Sequence, residues 1–231
     1  MAPRAYRSKK RAEAVEETRR RITEAVVQLH REKGVVATTY DDIARRADVA
    51  PATVYRHFPT VGDLIPACGA RIMEITSPPD PGILYQKRTP AERLQALVEE
   101  LFAFWQRAEP WLSVGRCESA KVPALRADLS VKEEAVRALI GFALGDSADD
   151  RGARLVEAMT DFYTWKALAA AGLEGEAAAI ITGMLLNHLG IKEYPGIKRR
   201  NVQCLKFTKL RTASAASAAS ARRRPSSSRS S

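Results

Sequence analysis

The chain has 231 residues, of which 45% are apolar, and a formal net charge of +10. That is enough for one larger or two smaller domains with real cores, and a basic excess of this size points to a polyanion: nucleic acid or an anionic membrane surface. A membrane partner is not expected, because the longest uncharged run, residues 177–191, contains Asn187 and His188 and spans only about 15 residues, too short and too polar to cross a bilayer. The start, Met1 to Arg7, is charged with no apolar stretch behind it, so it does not read as a secretory signal. Cys68, Cys117 and Cys204 are odd in number and form no CxxC, which argues against a disulfide framework and for a reducing, cytoplasmic setting. The charge is unevenly spread, with net values of +5 over 1–62, −5 over 63–191 and +10 over 192–231.

In chain order, residues 1–17 read as a basic flexible arm. Its cluster Arg4, Arg7, Lys9, Lys10 and Arg11 could track a nucleic-acid backbone or minor groove, or simply keep the segment in solution. From Thr18 to about Lys33, Ile22, Ala25, Val26 and Leu29 recur at helical spacing, and Gly34 stands where a glycine commonly ends a helix. Two short helical patterns follow, Tyr40–Ala47 and Pro51–Phe58, separated by only Asp48, Val49 and Ala50. Thr39 can cap the first, and Pro51 suits the opening turn of the second, where its missing N–H is not needed. Thr60 to Asp63 matches a capping signature for a fourth helix running to about Ile75. If that helix starts at Val61, Pro66 removes a backbone bond; if Gly62 is the cap, the proline is harmless. The run from Ser77 to Gly82 is the best domain boundary. Helical patterns resume at about 90–108, 130–145, 149–171 and 174–190, with Pro110, Pro123, Gly145 and Gly172 as punctuation.

The segment 39–58 meets the requirements of a helix-turn-helix. Ile43 and Ala44 lie on the inner face of the first helix, Val49 fills the turn, and Val54 and Phe58 lie on the inner face of the second. That leaves Pro51, Ala52, Thr53, Tyr55, Arg56 and His57 to cover the outer and flanking faces of a helix sized for the major groove. Arg56 is the candidate for direct base readout, since a bidentate arginine–guanine contact is the commonest specific pairing; a phosphate contact is the plainer alternative. Tyr55 and His57 either contact the DNA backbone or pack with satisfied polar tips.

Residues 18–72, through RRRITEAVVQLHREKGVVATTYDDIARRADVAPATVYRHFPTVGDL, resemble the N-terminal domain of the TetR family of transcriptional regulators. The resemblance rests on the glycine after helix one, the TT entry to helix two, DIA, and T-V-Y-x-H-F-P. It implies that Thr39 and the helix-two N-terminus, Tyr40 included, hold a phosphate, that Thr53 and Arg56 face bases, and that Tyr55 and His57 contact the backbone. It also implies a second domain for small-molecule binding and dimerisation, and FYTWKALAAAGLEGEAAA is similar to the family's dimer-forming region. Three positions depart from the pattern. Asp48 replaces the turn glycine, at some cost in left-handed geometry. Ala50 replaces a Ser or Thr cap, which weakens the helix start by roughly 1 kcal/mol. Val61 stands where a phosphate-pairing lysine is usual.

The expected fold is therefore all-α: a three-helix DNA-binding head at 18–62, joined by a helix to a helical-bundle ligand and dimerisation domain at 63–191, followed by a basic, largely disordered Ala/Ser/Arg tail at 192–231. In the body, Phe102, Trp105, Trp111, Phe142 and Trp165 are candidates for a ligand cavity, although aromatics at helical spacing are more often core. Ala158, Phe162, Ile181, Met184, Leu185 and Leu189 give two apolar helices suited to a four-helix dimer interface, with an intramolecular pair as the alternative. His30, His57 and His188 do not cluster with cysteines or carboxylates, so no metal site is expected. No nucleophile, phosphate or dinucleotide motif points to an enzyme or a cofactor. The functional expectation is a homodimeric regulator on a palindromic double-stranded operator, responsive to a small apolar or amphipathic ligand. The alternative is a protein that coats nucleic acid without sequence preference, driven by its basic head and tail.

Overall fold

The computed structural model describes residues 4–192, all within one compact unit, and every regular element in that range is helical. The basic tail after residue 192, with Cys204, lies outside the described residues. Four helices build the head: α1 (Arg4–Lys33), α2 (Tyr40–Ala47), α3 (Pro51–His57) and α4 (Val61–Thr76). The body follows with α5 (Pro81–Tyr85), α6 (Pro90–Glu118), α7 (Pro123–Leu144), α8 (Asp150–Met159), α9 (Phe162–Ala170) and α10 (Ala177–His188).

The first helix begins at Arg4, not near Thr18, so the expected flexible arm is helical from that point. Its sequence explains this. Strong helix formers dominate residues 4–17, with Glu13 within 4.0 Å of Lys9 and Glu17 hydrogen-bonded to Arg20. Thr39, Thr60 and Thr89 each close a capping box, with Asp42, Asp63 and Glu92 respectively returning a hydrogen bond to the cap backbone. Because Thr60 is the cap, α4 starts at Val61 and Pro66 falls inside it. The carbonyl it leaves without a donor belongs to Gly62, an exposed residue on the outer side of the helix. The same reasoning explains why α6 runs through Pro110 to Glu118 instead of stopping near residue 108: the bond forgone is to Gln106, which is exposed. The pattern expected over 149–171 is two helices. Thr160 gives its carbonyl to the Trp105 indole (2.8 Å), and Asp161 caps a new start by accepting from the Tyr163 N–H (2.8 Å).

The head core gathers Ile22, Val26, Ile43, Ala44, Val54 and Phe58, with Leu64 and Cys68 contributed by α4. The body core is built on α6, whose Leu94, Leu97 and Leu101 are essentially inaccessible, and includes Ile140, Val156, Phe162 and Leu185 from the surrounding helices. Ile65 of α4 packs with Leu125 and Leu129 of α7, so α4 has one end in each core. Two further contacts join the units. The Trp111 indole of α6 donates to the Val27 carbonyl of α1 (2.9 Å). Glu118, the last residue of α6, accepts from the N–H groups of Val35 and Val36 (2.7 and 3.1 Å). Gly34 is needed beside that latch: its φ is +89°, and a Cβ there would lie 2.6 Å from the Glu118 carboxylate.

Arginines from neighbouring helices occupy helix C-termini, where carbonyls lack intrahelical donors and the dipole favours a cation. Arg21 donates to the carbonyls of Ala47 and Asp48 at the end of α2. Arg19 donates to His57 at the end of α3 (3.2 Å), Arg107 to Thr76 and Ser77 at the end of α4 (2.6 and 2.7 Å), and Arg93 to Ala143 near the end of α7 (3.1 Å).

Replacing Arg21 by Met keeps the aliphatic stem and removes the fork. Urea unfolding should show a loss of about 1–2 kcal/mol; an unchanged midpoint would mean that the α2 terminus needs no external donor. His30 makes a second prediction. Burial holds its imidazole down at about 4, against an ordinary value of 6.5, despite the nearby Glu118 charge. Between those values the unfolded chain takes up a proton that the folded chain refuses, so stability is full above pH 6.5 and falls as pH drops toward 4. The loss attributable to this group is about 3 kcal/mol. His30→Gln should flatten the dependence of the unfolding midpoint on pH across that window.

Candidate nucleic-acid interface and ligand cavity

Helix α3 spans 7 residues, too few to stand alone, and it is positioned entirely by its neighbours. Val54 faces the head core with no exposed surface, and Phe58 closes the helix with equally complete burial. The Arg19 guanidinium lies over the Phe58 ring at 4.3 Å while donating to the His57 carbonyl. From α2, the Tyr40 hydroxyl donates to the Phe58 carbonyl (3.0 Å). At the opposite end, Ala50 supplies no side-chain cap, and Pro51 occupies the first turn. The turn between α2 and α3 puts Asp48 at φ 52°, the left-handed conformation that its short polar side chain can adopt.

With the inner face committed, Pro51, Ala52, Tyr55 and Arg56 are exposed and Thr53 and His57 half-buried. The Tyr55 ring stacks on Tyr40, centroids 4.4 Å apart and planes 15° from parallel. This fixes its direction without burying it. His57 is held below its ordinary imidazole value, first by burial and then by the charges of Arg56 and Arg19. Arg56 makes no hydrogen bond or ion pair among the described residues, so its fork remains available. Arg46, one helix away, is committed to Glu32 (2.6 Å).

Thr39 is placed differently from a simple phosphate clamp. Its hydroxyl donates to the Asp42 carboxylate (2.6 Å) and its amide reaches the same oxygen (3.1 Å). Lys33 is the largest influence on Asp42, and with Thr39 it holds that carboxyl far below the usual carboxylate range. The donors left at the start of α2 are therefore the first-turn amides of Tyr40 and Asp41.

In the body, a cavity of about 640 Å³ lies between α4, α6 and α7. Its walls are mostly apolar, with Ile72 and Met73 from α4, Phe104 and Leu112 from α6, and Leu129 and Leu139 from α7. Of the five aromatic residues expected at a ligand site, Trp105, Trp111 and Phe142 line it. Phe102 and Trp165 do not: both are buried in the body core, where Trp165 packs on Phe162 at 5.8 Å. A smaller cavity of about 50 Å³, bounded by His30, Cys68 and Trp111, shares Gly69 and Gly115 with the larger one.

The expected dimer-interface set divides in the same way. Phe162, Ile181 and Leu185 are buried within the protomer, and Leu189 packs half-buried against the same core. The reason is that α10 lies along α6, and the apolar stripe is used there. Ala158 and Met184 remain exposed, Met184 at 55%. Among the described residues, no helix is long and apolar enough to cross a membrane, and no group of His, Cys, Asp or Glu is arranged to hold a metal ion. Sequence reasoning missed the bracing arginines and the polar end of the cavity, Arg116 with Asp161, because those contacts join residues 26 to 50 positions apart.

Residues 22–68 match the model described as bacterial regulatory proteins, tetR family. Two relatives, both named HTH-type transcriptional repressor KstR, align with the N-terminal part. The Mycolicibacterium smegmatis protein is 36% identical over 97 residues, covering 42% of this chain and 47% of its own length. The Rhodococcus jostii protein is 33% identical over 99 residues, covering 41% and 43%. The chain thus spans less than half the length of the curated relatives it matches. Among solved structures, GusR of Salmonella enterica superposes with a TM-score of 0.54 at 22% identity over 75% of this chain and 95% of its own. SCO7518 of Streptomyces coelicolor A3(2) does so with 0.59 at 22% identity over 76% and 99%. That likeness is one of fold, and it extends from the head through the helical body. The family match is thus confined to the N-terminal residues 22–68, which are similar to the tetR family of bacterial regulatory proteins.

Proposed function

We propose that the chain is a sequence-specific DNA-binding transcriptional regulator that acts as a homodimer on a palindromic operator and releases or rebinds it in response to a small apolar or amphipathic molecule. The observation that carries this reading is the outer face of α3. Its inner side is sealed by Val54 and Phe58, its end is tied by Arg19 and Tyr40, and it presents Thr53, Tyr55 and Arg56 outward with the Arg56 fork free. A helix held this rigidly can read base edges, because precise presentation is what bidentate contacts require. The relatives' names as transcriptional repressors favour repression as the sign of control. Ligand response is supported by α4, which lines the cavity with Ile72 and Met73 and anchors the head with Leu64 and Cys68. A molecule that favours one position of α4 would change the presentation of α3 only to the extent that it binds the two states differently.

Two measurements test the reading. Selection from a random duplex pool with the full chain should recover a palindrome with half-sites about one helical turn (~34–36 Å) apart. On the recovered site, Arg56→Ala should weaken binding by roughly 1–3 kcal/mol and relax preference at one base position. Equal weakening on every duplex would instead indicate a coating protein without sequence preference. Dimerisation is proposed through the surface of α8–α10 that carries Ala158 and Met184. Met184→Arg should convert a dimer into a monomer in analytical ultracentrifugation and reduce operator affinity by about tenfold or more, equivalent to at least about 1.4 kcal/mol. A dimer of unchanged mass would place the interface elsewhere.

A further inference from the structure

The turns of α1 that precede Thr18 pack on nothing. Residues 8–17 are all exposed, and the contacts they make are local: Lys9 with Glu13 at 4.0 Å, Lys10 over the Tyr6 ring at 5.0 Å, and the Ala14 carbonyl under the Thr18 hydroxyl at 2.8 Å. So short a helical stretch is marginal in water when no tertiary face supports it. Its place is set by the rest of α1. That helix meets the body through the Val27 carbonyl on the Trp111 indole, and the turn after it does so through Val35 and Val36 on Glu118. The N-terminal turns leave the head at the end remote from those contacts. There they pass the C-terminal end of α3. Arg19 holds the His57 carbonyl and covers the Phe58 ring, and Glu16, a turn earlier, is close enough for its charge to favour protonation of His57. A helix lying in the major groove has its ends beside the two phosphate backbones that bound the groove, so the extension starts beside one of them.

Charge along the extension is ordered. Glu13, Glu16 and Glu17 occupy the turns next to α3, and Lys9, Lys10 and Arg11 occupy the turns beyond, about 12–15 Å along the axis from Arg19. Arg11 makes no hydrogen bond or ion pair among the described residues, and Lys10 has no carboxylate beside it among them. Counting back by threes and fours from the core residue Ile22 gives Thr18, Val15 and Arg11, so Arg11 lies on the face that α1 turns to the rest of the head. The head is short of such charges elsewhere. Arg19 and Arg21 are occupied at helix ends. Arg20 pairs with Glu17, Arg46 with Glu32, and Lys33 and Arg45 with Asp42. Arg31 lies against Trp111 of α6. That leaves Arg56 exposed without an acceptor among the described residues, and a single arginine neutralises too little phosphate where several contacts are the rule.

We propose, resting on the DNA-binding reading above, that the N-terminal turns of α1 form a second contact with the duplex: held as a helix, they lay Lys9, Lys10 and Arg11 on the phosphate backbone outside the base pairs read by α3. The contact is electrostatic and carries no base preference, so it raises affinity and lengthens the footprint without changing the sequence selected. The carboxylates of Glu13, Glu16 and Glu17 keep the inner turns off the backbone, which puts the contact in the flank.

The test uses the full chain on the palindrome recovered by selection, in one duplex that ends with the palindrome and in another that carries about one helical turn of unrelated sequence on each side. The flanks should tighten binding by about tenfold or more at physiological salt. A triple variant, Lys9→Gln with Lys10→Gln and Arg11→Gln, replaces the cations by another good helix former. It should bind the two duplexes nearly alike, and on the flanked duplex its slope of log K against log salt should be shallower by roughly 2–3 per bound chain. It should still select the same palindrome, whereas Arg56→Ala should alter the preference and keep the flank effect. Ala12→Pro leaves every charge in place and interrupts the helix at an exposed position, and it should lose most of the flank effect. An equal gain from the flanks in the triple variant, or an unchanged salt slope, would overturn the contact. An undiminished flank effect in Ala12→Pro would overturn its presentation by a helix. A palindrome bound with no flank effect would overturn the contact alone, and a full chain with no preference among duplexes would overturn the regulator reading and the contact with it.

Discussion

The head depends on α1 completing helices that are too short to complete themselves. Helices of 8 and 7 residues have most of their backbone groups in their first or last turns, so their ends decide whether they exist. The long first helix supplies both a floor, in Ile22, Val26 and Leu29, and two guanidinium forks, Arg21 on the last carbonyls of α2 and Arg19 on the last carbonyl of α3. These are charge-assisted bonds placed where the helix dipole is negative, so each contact serves a hydrogen-bonding and an electrostatic need together. The recurrence at α4 and α7, through Arg107 and Arg93, shows the same solution applied in the body.

The parts of this structure that were legible in the sequence are the parts determined locally. Capping boxes occupy four consecutive residues, a helix-ending glycine adjoins its helix, and the inner face of the helix-turn-helix follows from a period of 3.6 residues. The head could therefore be read almost element by element from Thr39, Gly34, Pro51, Val54 and Phe58. The bracing arginines could not, since nothing in the run Arg19, Arg20, Arg21 shows that two will reach across to α2 and α3 while Arg20 stays with Glu17. Proline was over-read as punctuation at Pro110, which sits inside a helix, as Pro66 does, because the carbonyls the two orphan belong to exposed residues. The body was less legible for a further reason. An apolar stripe states that a face is covered but not by what, so Phe162, Ile181 and Leu185 read first as a seam between protomers, with the core they form as the alternative. Trp105 and Trp165 are similarly alike in sequence, and only the path of α6 decides that one meets the cavity.

Head and body are joined by more than the shared α4. The long α6 touches the head at two places, the Trp111 indole on α1 and the Glu118 carboxylate on the turn after Gly34, and between them it forms the cavity wall at Leu112, Gly115 and Arg116. Each of these wall residues is thus within three residues of a contact with the head. The turn held by Glu118 leads directly to Thr39 and the start of α2.

That arrangement puts Glu118 and Trp111 between the cavity and the head, and under the proposed function any coupling carried there runs in both directions. If occupancy of the cavity alters the affinity of the head for DNA by some factor, equilibrium requires DNA to alter the affinity of the cavity by the same factor. Under the proposed function, a carboxylate that holds a turn beside one site would also bear on the threshold concentration at the other, so that a protein seated on an operator would sense a small molecule at a different level from one free in solution.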